Sequence, residues 1–120
     1  GCRSAVMEVT SHALHQGRVT NIDFDVAIFT NLTIDHLDYH GTMEAYCSTK
    51  NILFRTLGAK KNAAAVVNAD SPWCEKMIQG CKTKIITYAI ESPADLKASD
   101  IKLTPSGTEF ILNYKGSSHG

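Results

Sequence analysis

Residues 25–58 read DVAIFTNLTIDHLDYHGTMEAYCSTKNILFRTLG, and this stretch predicts a strand, a polar loop and a helix in that order. The run 26–29 is continuously apolar, which is typical of a strand buried on both faces of a parallel sheet. From Met43 onwards, apolar residues recur at the spacing of one helix face, so we expect a helix over 42–57 that ends at Gly58. A strand followed by a helix is the first half of a β-α-β unit.

The rest of the chain continues this alternation. Strands are predicted at 5–9, 25–30, 63–68 and 84–89, with helices at 10–16, 42–57 and 71–80. In the last helix Ser71 is the expected N-cap, Pro72 the first helical residue and Gly80 the end. Residues 100–103 and 108–114, separated by a Pro-Ser-Gly turn, predict a hairpin. The predicted fold class is therefore α/β, a mainly parallel open sheet with flanking helices and an antiparallel C-terminal hairpin.

The composition argues against several classes of partner. Acidic and basic residues balance at 12 each, so charge gives no reason to expect binding to nucleic acid or to an anionic membrane. No apolar run reaches membrane-spanning length, and Arg3 and Glu8 interrupt the N-terminal apolar residues, so no signal peptide is visible. The four cysteines lack C-x-x-C spacing, which predicts reduced thiols in a cytoplasmic protein.

Lys50 is the residue that fits its predicted position least well. It lies on the apolar face of the helix, seven residues after Met43 and seven before Leu57. An ammonium directed at a core is costly unless it is paired or chemically changed. Most helix lysines lie on the solvated face, so this lysine is a candidate site residue.

Polar side chains follow the predicted strands at their carboxyl ends, where open α/β sheets bind ligands. They are Glu8 after the first strand, Asn31, Thr33, Asp35 and His36 after the second, and Asn68 and Asp70 after the third. Each has a plainer interpretation. Glu8 is then a strand-end carboxylate, Asn68 and Asp70 cap and turn the chain, and residues 35–40 form a polar turn. Taken together with Lys50, they predict an ion or phosphate site.

Several segments resemble the central domain of the Mur ligases. They are MEVTSHALHQGRV at 7–19, FTNLTIDHLDYHGTMEAY at 29–46, and Lys50. The MurE type is the most similar, and it adds the third amino acid of the peptidoglycan stem peptide. The resemblance implies an ATP-dependent acid–amino-acid ligase of the bacterial cytoplasm. Its partners would be the UDP-N-acetylmuramoyl dipeptide, ATP and a diamino acid, meso-diaminopimelate or L-lysine. We further expect no nucleic-acid partner, no membrane insertion and a monomeric parent protein.

The same resemblance implies roles for three candidate residues. Glu8 matches the glutamate that holds Mg²⁺ between the ATP phosphates, and His36 matches the histidine that binds a second Mg²⁺. Mg²⁺ keeps most of its waters, so sparse protein ligands suit it. Lys50 matches the lysine that reacts with carbon dioxide to form a carbamate, an anion able to interact with the second metal.

Three further positions match family contacts to the UDP-muramoyl dipeptide. They are Thr10, Gln16 and Arg18. Arg18 would form a forked pair with a carboxylate of the substrate. Thr10 keeps the hydroxyl of the serine that the family usually has there.

The resemblance also implies a phosphate loop in the same domain, but no G-x-x-x-x-G-K-[ST] pattern occurs in the 120 residues. The chain begins without Met and ends in GSSHG. We therefore expect residues 1–120 to be part of a central ATP-binding domain, lacking the upstream phosphate-loop portion and the C-terminal ligase domain. Such a fragment is expected to be inactive alone.

Three alternatives stay open on the sequence. A folylpolyglutamate synthetase-like ligase would share the chemistry. A metal-dependent hydrolase could use His36 and His40, spaced four apart, together with Asp35 or Asp38. A non-catalytic interaction module would keep the fold without the site.

Overall fold

The computed structural model describes residues 3–9, 14, 17, 22–32, 42–58, 63–114 and the backbone of 117–119. Within these residues the chain forms a six-stranded sheet whose strands lie side by side in chain order. The strands are β1 (Val26–Phe29), β2 (Ala64–Asn68), β3 (Lys84–Ala89), β4 (Leu96–Thr104), β5 (Gly107–Tyr114) and β6 (Ser117–His119), and the helices are α1 (Met43–Thr56) and α2 (Cys74–Met77). Neighbours from β1 to β4 pair in parallel, and those from β4 to β6 pair antiparallel. The predicted fold class is confirmed.

The core lies between the two helices and one face of the parallel strands. Ala27 and Phe29 of β1 and Ala65 and Val67 of β2 point to this face and are almost fully buried. The buried cluster consists of Ala27, Phe29, Leu32, Tyr46, Cys47, Phe54, Leu57, Ala65, Val67, Cys74 and Met77. Because α1 connects β1 to β2 and covers both, its apolar stripe determines which side chains of these strands are buried.

The opposite face of β1 is open, so the expectation of a strand buried on both faces is wrong. Val26 is 48% exposed and Ile28 is 60% exposed. Both described helices pack against the Ala27 and Phe29 side, which leaves the alternate residues facing outward. A continuous apolar run therefore does not by itself show what covers a strand.

The predicted strand at 5–9 is also wrong. These residues have no regular secondary structure, and among the strands that the structure describes β1 is the edge of the sheet. Val6 is 99% exposed and Met7 is 51% exposed, so the apolar side chains find no sheet face. A strand requires a hydrogen-bonded neighbour, which local apolar character cannot supply. The helix predicted at 10–16 lies outside the described residues except for Leu14.

The long helix forms as predicted at its start and ends differently. Thr42 is the N-cap, and its side chain accepts a hydrogen bond from the Ala45 N–H at 3.1 Å. The helix ends at Thr56, and Leu57 continues in an extended conformation while its side chain is buried. The described glycines with a positive φ do not include Gly58, so the predicted glycine cap is wrong. The helix ends instead where Leu57 becomes extended and packs its side chain in the core.

Helix α2 is one turn long, shorter than the predicted 71–80. Ser71 still accepts a hydrogen bond, from the Trp73 N–H at 3.3 Å, but the helix begins only after Trp73. The helix ends at Met77 with Ile78 as its C-cap, so the predicted end at Gly80 is wrong; Gly80, with a φ of +79°, lies in the turn that follows. The carbonyls of Lys76 and Met77 accept from the side chain of Asn51 at 3.4 and 2.6 Å, and the Lys76 carbonyl also accepts from the Gln79 N–H at 3.4 Å. Tertiary hydrogen bonds thus supplement the turn that follows the short helix.

The C-terminal hairpin is confirmed and extends further than predicted. Strand β4 begins at Leu96 because its first residues pair in parallel with the end of β3. A bulge between Ser99 and Lys102 interrupts the β4–β5 ladder, and Asp100 there has a φ of +50°. Strand β6 was not predicted. Its Ser-Ser-His sequence has little strand preference, and the ladder of β5 orders its backbone.

Candidate functional site

Lys50 lies in the middle of α1, and its head group turns towards residues 3–9. The Nζ atom donates a hydrogen bond to the carbonyl oxygen of Val9 at 3.4 Å. It also lies 5.8 Å from the centroid of the Tyr46 ring. The side chain is half-buried. The expectation that this lysine is not an ordinary solvated-face lysine is therefore confirmed.

The surroundings of Lys50 shift the pKa of its ammonium group. Burial lowers the pKa of the Lys50 ammonium below its usual value, and the negative charge of Glu8 partly offsets this effect by favouring the charged form. A lower pKa raises the fraction of neutral amine at a given pH. The neutral amine is the nucleophilic form of a lysine.

Glu8 reaches the neighbourhood of Lys50 although its segment is not a strand. Its side chain is exposed, and the adjacent residue, Val9, accepts the hydrogen bond from Lys50. The negative charge of Glu8 raises the pKa of Lys50 against the effect of burial. The structure thus places the segment of Glu8 beside the half-buried amine, and the joint role of the two residues at a metal site stays a prediction.

The carboxyl ends of the parallel strands are held together by side-chain hydrogen bonds. Asn68 donates through Nδ2 to the carbonyl of Thr30 at 2.8 Å. Tyr88 donates through its hydroxyl to the carbonyl of Phe29 at 3.0 Å, spanning β2 from β3 to β1. For Asn68 the plainer interpretation, a residue that organises the turn, is confirmed.

Asp70 has a structural role of the same kind. Its carboxylate accepts backbone hydrogen bonds from Ile90 at 2.6 Å and from Ser92 at 2.7 Å, and longer ones from Glu91. These bonds favour the charged form and lower the pKa of Asp70 to about 2. The carboxylate fastens the loop after β3 to the end of β2, as the turn interpretation predicted.

Most other candidate residues lie outside the described part of the chain. These are His36, Thr10, Gln16 and Arg18, together with Asp35, Asp38 and His40. Their proposed roles stay predictions. In the described residues no group of three or more His, Cys, Asp and Glu could hold a metal ion.

The described residues fit Mg²⁺ in part. Glu8 offers an exposed carboxylate, and one or two such ligands suffice for an ion that keeps most of its waters. Lys50 as an ammonium is a hydrogen-bond donor and no metal ligand. Only a carbamate on Nζ would give it oxygen ligands.

The described cysteines are free thiols with no sign of a reactive role. Cys47, Cys74 and Cys81 are free thiols, and the first two are buried. Burial raises the pKa of both the Cys47 and the Cys74 thiol. A raised pKa lowers the fraction of reactive thiolate, which agrees with the expectation of reduced core thiols. Cys2 lies outside the described residues.

Two neighbours of Lys50 were not singled out by sequence reasoning. Asn51 is 8% exposed and donates through Nδ2 to three carbonyls, those of Lys76, Met77 and Gln79. Asparagine is seldom buried in a helix. Its position directly after the inward-facing Lys50 is the sequence feature that could have identified Asn51 as a residue of interest. Tyr46 appeared only as a core residue of the apolar stripe, although it lies one turn before Lys50.

None of the helices in the described ranges is long and apolar enough to cross a membrane.

The fold and the lysine on its crossover helix define a class of α/β domain with a mixed, mainly parallel sheet and a polar site at one end of the strands. All 120 residues match the family model of the Mur ligase middle domain. The chain therefore belongs to the Mur ligase middle-domain family.

The relatives in this family carry a specific name. The chain is 49% identical over 122 residues to the UDP-N-acetylmuramoyl-L-alanyl-D-glutamate–2,6-diaminopimelate ligase of Bacillus licheniformis, covering 98% of this chain and 25% of that protein. It is 46% identical over 111 residues to the protein of the same name from Chlamydia pneumoniae, covering 92% of this chain and 23% of that protein. The chain thus spans about a quarter of the length of the relatives it matches.

Solved structures give the same picture. A structure of UDP-N-acetylmuramoyl-L-alanyl-D-glutamate–2,6-diaminopimelate ligase matches with a TM-score of 0.80 and 34% identity, over 92% of this chain and 23% of that chain. MurF ligase from Thermotoga maritima in complex with ADP matches with a TM-score of 0.70 and 22% identity, over 92% of this chain and 25% of that chain. The second match supports the fold alone.

Proposed function

We propose that the chain is part of an ATP-dependent ligase that adds a diamino acid to UDP-N-acetylmuramoyl-L-alanyl-D-glutamate in peptidoglycan biosynthesis. The observation that carries the proposal is the half-buried Lys50, whose Nζ contacts Val9 beside Glu8. Membership of the Mur ligase family and 49% identity to a relative named for this reaction support it. The names of these relatives favour 2,6-diaminopimelate over L-lysine as the added amino acid.

Residues 1–120 supply one side of the site in this proposal. No G-x-x-x-x-G-K-[ST] pattern occurs in them, so the phosphates of ATP are held by another part of the polypeptide. The relatives are about four times as long, which leaves room for that loop and for a domain that binds the amino acid. The 120 residues alone are inactive in this reading, and the complete enzyme is a cytoplasmic monomer.

The reaction has two steps. The D-glutamate side-chain carboxylate attacks the γ-phosphorus of ATP, which gives an acyl phosphate and releases ADP. The amine of the diamino acid then attacks the acyl carbon through a tetrahedral intermediate, and inorganic phosphate leaves. Both steps depend on bringing reactants together in the correct orientation. Thr10, Gln16 and Arg18 would orient the UDP-muramoyl dipeptide.

Lys50 acts in this proposal as a carbamate. The ammonium first loses a proton. The neutral amine then adds to the carbon of carbon dioxide, an N–C bond forms as one C=O π bond opens onto oxygen, and a second proton leaves the nitrogen, so the overall change is from a cation to an anion. The lowered pKa of Lys50 favours the neutral amine that this step requires. Glu8, His36 and the carbamate would hold Mg²⁺, which when bound offsets the negative charge of the triphosphate and of the attacking carboxylate.

The test uses the full-length ligase that contains this chain. We expect Lys50→Ala to lower kcat for ATP-dependent product formation by at least about 100-fold, the usual scale for losing a group that stabilises charge in the transition state. Added short carboxylic acids should restore part of the activity because they replace the missing carboxylate. The measurement is ADP release together with the ligated product.

Lys82→Ala is the matched control, since Lys82 is an exposed lysine in the segment between α2 and β3. Its kcat should equal that of the wild type. Unchanged activity in Lys50→Ala would contradict the carbamate role. Activity without a nucleotide, together with stoichiometric zinc, would support a hydrolase instead. Comparing diaminopimelate with L-lysine as substrate decides the amino acid.

A further inference from the structure

Tyr46 is placed to control where the Lys50 head group lies. It precedes Lys50 by four residues on α1, and side chains at this spacing are neighbours on a helix. The Tyr46 side chain is 3% exposed, and its ring centroid is 5.8 Å from Lys50 Nζ. Packing in the core limits the movement of a buried ring, so the ring is a fixed surface beside the Lys50 side chain whatever the charge of its head group.

The second contact of the head group comes from a different segment. Lys50 Nζ donates to the Val9 carbonyl at 3.4 Å, and Val9 follows Glu8 directly. A lysine has four side-chain torsions and would otherwise sample many rotamers. The ring on one side and the carbonyl on the other select rotamers that direct Nζ towards Glu8. A carbamate keeps one N–H on Nζ, so the same carbonyl can still accept from it.

We propose that Tyr46 is a positioning residue for Lys50, whose buried ring holds the lysine head group on the side of α1 that faces Glu8. The inference rests on the proposed function, because it assigns Tyr46 to the same site. The ring is the part of the Tyr46 side chain that lies beside Lys50 Nζ. Phenylalanine at this position should therefore preserve the positioning of Lys50, whereas an aliphatic residue should not.

A purely structural role for Tyr46 is the competing explanation, and a matched variant separates the two. Phe54 is another buried aromatic residue of α1, 2% exposed, in the same core cluster. Tyr46→Leu and Phe54→Leu both exchange a buried ring for leucine. Both should lower thermal stability, but only the first removes the ring beside Lys50.

The activity test uses the full-length ligase. Tyr46→Leu should lower kcat about 3- to 30-fold, because a displaced Lys50 head group orients the reactants less well, with KM for ATP changed less than about twofold. Tyr46→Phe should keep kcat within about twofold of the wild type. Phe54→Leu should keep the kcat of the folded enzyme. In a Lys50→Ala background with carboxylic-acid rescue, Tyr46→Leu should have no further effect.

A second readout does not depend on activity. Lysine labelled with ¹³C at Cε gives NMR signals for each lysine, and the signal lost in Lys50→Arg identifies Lys50. The ε protons of Lys50 should be displaced upfield by the Tyr46 ring in the wild type and in Tyr46→Phe. The displacement should disappear in Tyr46→Leu. If that variant does not fold, Tyr46→Met replaces it, because methionine fills irregular core space.

The outcomes distinguish the two proposals. If Lys50→Ala loses its activity while Tyr46→Leu and Phe54→Leu have the same kcat, the positioning role is wrong and the proposed function stands. Undisplaced Lys50 ε protons in the wild type would also overturn the positioning role. If Lys50→Ala keeps full activity, the proposed function fails, and the positioning role fails with it.

Discussion

The parallel half of the sheet, β1 to β3, and the hairpin half, β4 to β6, are held together in different ways. The parallel strands are only four to six residues long, yet two of them contribute to the buried core cluster under α1 and α2. Strands β4 and β5 are nine and eight residues long, and residues 100–110 are all exposed. Strand length therefore does not indicate where the stability lies; cover by helices does.

The two halves are connected by a short ladder between β3 and β4. Strand β3 pairs with β4 through two rows only, Tyr88 with Leu96 and Ala89 with Lys97. Side chains reinforce this short ladder. Asp95 accepts from the Thr87 N–H at 3.1 Å, and Asp70 holds the loop that leads into β4. The antiparallel half can face water on its surfaces, whereas parallel strands depend on cover. Lys50, on the covering helix, belongs to the well-packed half.

The largest expected effect comes from opening a cavity in the parallel half. Phe29→Ala removes a ring that is 4% exposed, and we expect a loss of about 3–5 kcal/mol in the free energy of unfolding. Phe110→Ala, the same change at a residue 46% exposed in the hairpin, should cost less than about 1 kcal/mol. Urea unfolding followed by the fluorescence of Trp73 measures both. Equal losses would break the comparison.

The next effect tests the hydrogen bonds that connect helix α1 to helix α2 and the turn after it. Asn51→Ala removes the side-chain donor to the carbonyls of Met77 and Gln79 and one of two donors to the carbonyl of Lys76, so we expect a loss of about 1–3 kcal/mol in the free energy of unfolding. Ser48→Ala, at an exposed position of the same helix, is the control and should be close to neutral. Amide hydrogen exchange in α2 should speed up in the first variant. Unchanged exchange there would show that the contact does not order this helix.

A smaller effect, dependent on pH, lies at the connection between β3 and β4. The pKa of Asp70 is lowered from its usual 3.8 to about 2, so its stabilising contribution is present above about pH 4 and is lost as the pH falls towards 2. Asp70→Asn should therefore lower the urea midpoint at pH 7 and approach the wild type near pH 2. A gap of the same size at both pH values would mean that the charge of Asp70 is not what fastens the loop.

The smallest effect is expected on the hairpin surface. Leu103 is 84% exposed, so Leu103→Thr should change the free energy of unfolding by less than about 0.5 kcal/mol. Threonine keeps the strand preference, which leaves the ladder to β5 intact. The same urea titration measures it. A loss above 1 kcal/mol would show that the hairpin half has apolar packing of its own.

The sequence predicted the elements that depend on local signals. The β1–α1–β2 unit, the strand β3 and the hairpin formed close to their predicted bounds because apolar periodicity, the Thr42 cap and the Pro-Ser-Gly turn act within a few residues. The predictions of a strand at 5–9, of a helix over 71–80 and of a β1 strand buried on both faces were wrong. Each of these depends on what lies beside the element, and a local pattern carries no information about that.

For the candidate site, the sequence by itself determined that Lys50 leaves the solvated side of its helix, because residue spacing fixes the direction of a helical side chain. It also carried the resemblance to the Mur ligases, which the family match confirmed. Only the tertiary structure decided that the Lys50 amine meets the carbonyl of Val9, 41 residues earlier, and the ring of Tyr46. Such contacts form only when separate segments pack together, so the partners of a side chain are a property of the folded chain.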